Sequence, residues 1–91
     1  MNDSNTNILK VSGHSVVSSV AGSIVKSIED GKRVELHAIG ASAVNQTCKA
    51  IASARGILSS KGREALVRIG FSDTKINGED RTMMIFIIVL N

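Results

Sequence analysis

The feature that most constrains the fold is the stretch from Val34 to Gly56, where a short apolar segment ends at Gly40 and a helical pattern follows at once. Polar residues of the second part recur at helical spacing and share one face: Ser42, Asn45, Gln46, Lys49 and Ser53. Largely apolar residues occupy the opposite face: Val44, Thr47, Cys48, Ile51, Ala54 and Leu58. Glycine allows a tight turn between the two parts. The pattern predicts a strand that turns at Gly40 into an amphipathic helix.

Patterns on either side of this stretch predict the remaining elements. Apolar residues after Ser15 recur at helical spacing until Gly31, which predicts a helix. Asn77-Gly78 is typical of a two-residue hairpin turn, and this turn would set Ile76 opposite Glu79. In chain order, the predicted elements are a strand at Ile8–Ser12, a helix from an N-cap at Ser15 to Gly31, a strand at Lys32–Ile39, the Gly40–Leu58 helix, and strands at Arg63–Phe71 and Arg81–Leu90.

This βαβαββ layout places the chain in the α/β class. A strand–helix–strand unit implies a right-handed parallel crossover, and the hairpin adds antiparallel pairing. We expect one compact domain over residues 7–91, a two-layer sandwich of two helices on a four-stranded mixed sheet. Residues 1–6 are polar and are expected to form a disordered tail. The last strand is apolar on both faces, so we expect a homodimer to cover the face that the helices leave open.

Composition limits the classes of function. The 91 residues suffice for one domain. Only two are aromatic, Phe71 and Phe86, so a protein that stacks bases on aromatic side chains is not expected. The net charge is +3, and between Ala41 and Phe71 five basic residues stand against one acidic residue, Glu64. A mild basic patch of this kind permits anionic partners, nucleic acid among them.

The single cysteine excludes an internal disulfide and indicates a reducing compartment, so we expect a cytoplasmic protein. Cys48 lies on the apolar side of its helix and is expected to be buried and inert. The apolar run Met83–Leu90 is too short to cross a bilayer as a helix, and residues 1–7 lack the apolar core of a signal peptide. We therefore expect no membrane association.

Catalysis has little support in the sequence. His14 lies on a loop and is expected to be solvated, and His37 lies within a strand and is expected to be a packed or hydrogen-bonded structural residue. The carboxylates of Glu29-Asp30 and Glu79-Asp80 are sequence neighbours at turns, which indicates solvated charge rather than an acid–base pair. No spacing of His, Cys and Asp indicates a metal site. We expect no enzymatic activity, no cofactor and no metal.

A family resemblance rests on several short segments. They are ILKVS at Ile8–Ser12, SVAG at Ser19–Gly22, AIGA at Ala38–Ala41, VNQ at Val44–Gln46, KAIA at Lys49–Ala52, ARG at Ala54–Gly56 and NGEDRT at Asn77–Thr82. Taken in order, these segments resemble the stage V sporulation protein S (SpoVS) family over nearly the whole chain from Asn7 onward. That family is related to the Alba-like fold of small nucleic-acid-binding proteins. The resemblance implies an Alba-like fold, binding to DNA or RNA, and a role in sporulation or a related developmental programme.

Three places supply candidate residues for contacts with phosphate and sugar: the polar helix face, the loop beyond that helix, and the hairpin, which resembles the arm that Alba-like proteins lay along a duplex. The candidates are Ser42, Asn45, Gln46, Lys49, Lys61, Arg63, Lys75 and Arg81. Asp73, Glu79 and Asp80 leave the arm net negative, and the loop Ser12–Ser15 lacks the lysines that Alba proteins carry there. We therefore expect modest, mainly electrostatic binding with weak sequence specificity.

Two other functions stay open. One is a dimeric interaction or scaffold module that binds protein and no nucleic acid. A continuous stripe of Lys49, Lys61 and Arg63 from two subunits would favour nucleic acid, and acidic residues interrupting that stripe would favour the scaffold module. The other, more distant, is binding of a small anion or nucleotide at Gly40. Arg55 lies among apolar residues near the helix C-terminus, where it pairs with a carboxylate or with carbonyls, or lies at an interface.

Overall fold

The computed structural model describes residues 5–91. Its elements are β1 (Thr6–Val11), α1 (Val17–Glu29), β2 (Arg33–Ile39), α2 (Ala41–Ser60), β3 (Ala65–Ile76) and β4 (Glu79–Leu90). The strands form one sheet in the order β1-β2-β4-β3, which confirms the predicted βαβαββ sandwich with a mixed sheet. Of the predicted tail, residues 1–4 lie outside the described part of the chain, and Thr6 already belongs to β1.

The sheet combines one parallel pair with two antiparallel pairs. β1 runs parallel to β2, with α1 as the crossover between them. β4 lies in the middle of the sheet and is antiparallel to both β2 and β3. The hairpin register is the predicted one, because Ile76 pairs with Glu79. Asn77 and Gly78 have φ angles of 52° and 82°, as a two-residue turn with two left-handed positions requires.

Both helices pack on the same side of the sheet and enclose the core. β2 shows the alternation most clearly, because Val34, Leu36 and Ala38 are buried beneath the helices and the residues between them are half-buried or exposed on the other side. β4 adds Phe86 and Ile88 to the buried side. The core is therefore aliphatic apart from one phenylalanine ring, and it fixes which faces of the helices point outward.

The loop between β1 and α1 packs against the start of α2. A Cβ atom added at Gly13 would lie 2.7 Å from the Cβ of Ser42, which only a glycine avoids. The predicted N-cap role of Ser15 is wrong: α1 begins after Val16 and has no side-chain cap. The Ser15 hydroxyl instead accepts a hydrogen bond from the backbone N–H of Ser12, 2.9 Å away, and so closes the loop on itself.

The helices leave the edge of the sheet at β3 partly uncovered. Ala65 at the start of this strand is buried, but farther along the same face Ile69 is 62% and Phe71 69% exposed. On the opposite face of the sheet, Leu66 of β3 and Ile87 of β4 are also exposed. Apolar surface therefore remains on both sides of the β3–β4 hairpin. Within residues 5–91, no helix has the length and apolar character that crossing a membrane requires.

Candidate nucleic-acid interface

The polar face of α2, formed by Ser42, Asn45, Gln46, Lys49 and Ser53, points away from the core. Ser42, Asn45 and Lys49 are exposed, as the helical spacing predicted. Gln46 is half-buried because its side-chain amide donates a hydrogen bond to the carbonyl oxygen of Ser15, at 2.9 Å. The structure thus gives Gln46 a contact that ties α2 to the loop before α1, and it leaves the other four side chains, including Ser53, on the surface.

Lys49 is the cation of this face. Its helical neighbours at three and four positions are Asn45, Gln46, Ala52 and Ser53, none of which is charged. Within residues 5–91, its ammonium group forms neither an ion pair nor a side-chain hydrogen bond. A phosphate that approached the polar face would meet this charge without having to displace a carboxylate.

Arg81 reaches the same end of the molecule from β4. One of its terminal guanidinium nitrogens, Nη2, lies 3.9 Å from the place that a Cβ atom would take on Gly40, the residue before α2. Arg81 is exposed, and so are Ser42 and Asn45 in the first turns of the helix. The fold therefore brings residues from the helix and from the hairpin together, although they are far apart in the sequence.

Lys75 lies farther out on the hairpin and has an acidic partner. Its ammonium group is 3.0 Å from a carboxylate oxygen of Asp80, which is the residue opposite it in the register. Both side chains are largely exposed. An exposed pair of this kind contributes little free energy, so the pair lowers the positive charge of the arm without preventing a phosphate contact.

Lys61 and Arg63 lie at the other end of α2. The helix has 20 residues and is therefore about 30 Å long. The Lys61 ammonium group forms an ion pair with the carboxylate of Glu29, at the end of α1. An acidic residue therefore interrupts the stripe from Lys49 to Arg63 within one chain, and the predicted site residues fall into two groups.

The group that contains Arg63 includes basic residues that the sequence analysis did not select. Three of them line the same cleft as Arg63: Lys32 just before β2, Arg33 at the start of β2, and Arg68 of β3. Their sequence signal was weak. The alternation of β3 does place Arg68 on the face opposite Val67, but its proximity to Lys32 depends on strand order, which the spacing of single strands does not give.

The side of α2 that faces β3 is more exposed than predicted. Cys48 is exposed, so its predicted burial is wrong. The reason is that β3 lies at the sheet edge and leaves an apolar groove beside the helix, formed by Cys48, Ile51, Ala52, Arg55, Val67, Ile69 and Phe86. Arg55 has the predicted structural partner, because its Nε donates a hydrogen bond to the carbonyl oxygen of Ala65 at 2.7 Å.

The two histidines have different surroundings. His37 is half-buried and hydrogen-bonded to a carboxylate oxygen of Glu35 at 2.8 Å, which confirms its predicted structural role. His14 is exposed, and its backbone N–H donates to the hydroxyl of Ser12. Among the described residues, no group of three or more His, Cys, Asp and Glu side chains is placed to hold a metal ion.

A comparison with protein families agrees with the resemblance that the segments quoted above carry. A family model described as Stage V sporulation protein S (SpoVS) matches residues 7–91. The match covers nearly the whole chain, including both helices and the strands apart from Thr6 at the start of β1.

Proposed function

This chain belongs to the stage V sporulation protein S family, and we propose that it acts there as a non-enzymatic protein that binds the backbone of DNA or RNA. Membership in this family suggests a role related to sporulation. In this proposal the protein works in the cytoplasm, where its single cysteine stays reduced, and it needs no cofactor or metal.

The observation that carries the proposal is the unpaired ammonium group of Lys49 on an exposed polar face. Asn45 and Ser42 beside it offer amide and hydroxyl groups, which commonly contact phosphate and sugar. Arg81 adds a second cation near the first turn of the same helix. Since neither the polar face nor the tip of the hairpin carries an aromatic ring, binding relies on charge and discriminates weakly between sequences.

The proposal includes a homodimer, but it places the interface in the apolar groove beside α2 and not on the open face of the sheet, where the sequence analysis expected it. Ile69 and Phe71 are the two most exposed large apolar residues of the sheet, and they adjoin the groove that contains Cys48. A second copy can cover the same surface by a two-fold contact, in which each groove receives the other chain. Burying a phenylalanine side chain contributes about 1.5–3 kcal/mol, and a two-fold contact buries one from each chain. The dimer would carry two polar faces.

The second candidate is a dimeric scaffold module that binds protein instead. The ion pairs Lys61–Glu29 and Lys75–Asp80 support it, because they reduce the positive charge at two of the three places where phosphate contacts were expected. Under this alternative the polar face of α2 would bind a protein surface by hydrogen bonds.

A titration with duplex DNA and with structured RNA at two salt concentrations separates the two candidates. The nucleic-acid proposal predicts saturable binding at low salt that weakens steeply as salt rises. Absence of binding to both nucleic acids at low salt would contradict it and favour the scaffold module.

A further inference from the structure

The end of the sheet farthest from the hairpin turn contains a cleft with its own concentration of positive charge. It has a volume of about 540 Å³ and lies between the start of β2 and the end of β4. Lys32, Arg33, Arg63 and Arg68 all line it. We call it the basic cleft. Clefts of roughly 300–1,000 Å³ are typical of sites for small molecules.

The cleft exists because two neighbouring strands stop pairing before they end. The ladder between β2 and β4 begins at Glu35 opposite Ile87, yet β2 already starts at Arg33 and β4 continues to Leu90. Arg33 pairs on its other side with β1, and Leu90 pairs on its other side with β3. Each of these strand ends therefore has a pairing partner on the side away from the cleft. The facing edges of β2 and β4 are unpaired at this end, and the cleft lies between them.

Three of these cations, Lys32, Arg63 and Arg68, have no acidic partner among the described residues that line the cleft. No Asp or Glu is among the described residues that line the cleft. Among residues 5–91, the side chains of Lys32, Arg63 and Arg68 take part in no ion pair. Of the carboxylates near these cations in the sequence, Glu29 pairs with Lys61 and Asp30 with Lys26. Glu64, which follows Arg63, accepts a hydrogen bond from the side-chain amide of Asn91 and does not line the cleft. Neighbouring cations that have no carboxylate between them attract an anion. The guanidinium group of one arginine can donate two parallel hydrogen bonds to two oxygens of a phosphate.

Apolar side chains form the rest of the wall. Ile28 and Val34 are buried at its base, and Ile87 and Leu90 expose part of their surface to it. A bare inorganic ion would leave this apolar surface in water. A ligand that carries both an anionic group and an apolar body would use both parts of the cleft.

From these observations we propose that the basic cleft binds an organic phosphate of the size of a mononucleotide, with the phosphate between Arg63, Arg68 and Lys32 and the organic part against the isoleucines. Arg63, one of the residues expected to contact nucleic acid, belongs to this cleft, whereas the proposed nucleic-acid binding rests on Lys49 and the polar face of α2. The site in the cleft therefore stands or falls independently of the proposed nucleic-acid binding.

Calorimetric titration of the full chain with adenosine monophosphate, adenosine and inorganic phosphate tests the proposal. We expect saturable binding of the monophosphate, weaker binding of inorganic phosphate and none of adenosine. Arg68→Gln should weaken binding of the monophosphate about tenfold, since a hydrogen bond to a charged group is lost. Lys10→Gln, on β1 outside the cleft, is the matched control and should bind like the unaltered chain.

Three results would overturn the site or its ligand class. They are the absence of saturable binding of the monophosphate, an Arg68→Gln variant that binds it as tightly as the unaltered chain, and inorganic phosphate binding as tightly as the monophosphate. Because Arg68 is exposed, its substitution should leave the fold intact, and a thermal melt checks this. Lys49→Glu should leave binding of the monophosphate unchanged even where it abolishes binding to duplex DNA, which keeps the two proposals distinguishable.

Discussion

Arg55 donates a hydrogen bond from its Nε to the backbone carbonyl oxygen of Ala65, over 2.7 Å. The bond joins the second half of α2 to the first residue of β3, the edge strand that the helices cover least. Ala65 itself is buried, so its carbonyl group depends on this partner. Arg55, although charged and among apolar residues of the helix, therefore links α2 to the sheet.

Replacing Arg55 should accordingly cost stability. We expect Arg55→Met to lower the free energy of unfolding by about 1 kcal/mol, because the carbonyl oxygen of Ala65 loses a charged donor. Urea denaturation measures the change. Lys49→Met on the same helix is the control, since Lys49 has no side-chain partner within residues 5–91. Equal effects of the two substitutions would show that the hydrogen bond contributes nothing measurable.

The close contact between Gly13 and Ser42 predicts that replacement by alanine destabilises the protein at Gly13 but not at Gly22. Gly13→Ala should destabilise the protein by about 1–3 kcal/mol, because the new methyl group would lie 2.7 Å from the Cβ of Ser42. Gly22→Ala is the control, since the added methyl group meets nothing within 4 Å in α1. There alanine should stabilise by about 0.5–1 kcal/mol. Thermal melts should show a lower melting temperature for Gly13→Ala and a higher one for Gly22→Ala. An unchanged melting temperature for Gly13→Ala would contradict the close approach of the loop to α2.

The proposed dimer interface can be located with two substitutions on one strand. Phe71→Asp should turn a dimer into a monomer of 9.6 kDa, because it places a carboxylate in the apolar contact. Leu66→Asp is the matched control, because Leu66 is 47% exposed on the opposite face of β3. Light scattering at high micromolar concentration gives the mass. Dissociation by Leu66→Asp alone would move the interface to the open face of the sheet, and a monomeric unaltered chain would remove the dimer altogether.

The exposed thiol of Cys48 reports the same interface without a mutation. In the monomer Cys48 should react readily with a thiol reagent, and in the dimer a second copy in the apolar groove should protect it. We therefore expect the labelling rate per molecule to fall as the protein concentration rises. Cys48→Ala should fold normally. A rate that does not depend on concentration would argue against a dimer formed through this groove.

Much of the fold was predictable because its signals are local. Helical spacing identified both helices, the alternation in β2 identified its buried side, and Asn77-Gly78 fixed the hairpin register. The ends of β3 differ from the prediction: the predicted strand Arg63–Phe71 is observed as Ala65–Ile76, because pairing with β4 continues to the turn.

The features missed by the sequence analysis depend on what lies beside an element. Cys48 has the spacing of a buried residue, but its flank of α2 faces an edge strand that leaves it open. The basic cleft joins Lys32 to Arg68 only through the strand order β1-β2-β4-β3. Neither fact is contained in the periodicity of a single segment, since both follow from the positions of neighbouring elements.

The central claim, that the polar face of α2 contacts nucleic-acid phosphates, rests on Lys49. Lys49→Glu and Lys26→Glu change the net charge equally, and both positions are exposed on helices. They differ in location and surroundings, because Lys26 lies on α1 and already pairs with Asp30 at 3.0 Å. Any difference between them in binding therefore reports the location of the contact and not the total charge.

The decisive measurement is the affinity of both variants for one duplex DNA across a series of salt concentrations. The account predicts that Lys49→Glu weakens binding and lowers the slope of log affinity against log salt by about 0.9, while Lys26→Glu leaves the slope as it is in the unaltered chain. If Lys49→Glu keeps the affinity and slope of the unaltered chain, or if the two variants lose the same amount, the polar face of α2 is not the binding surface.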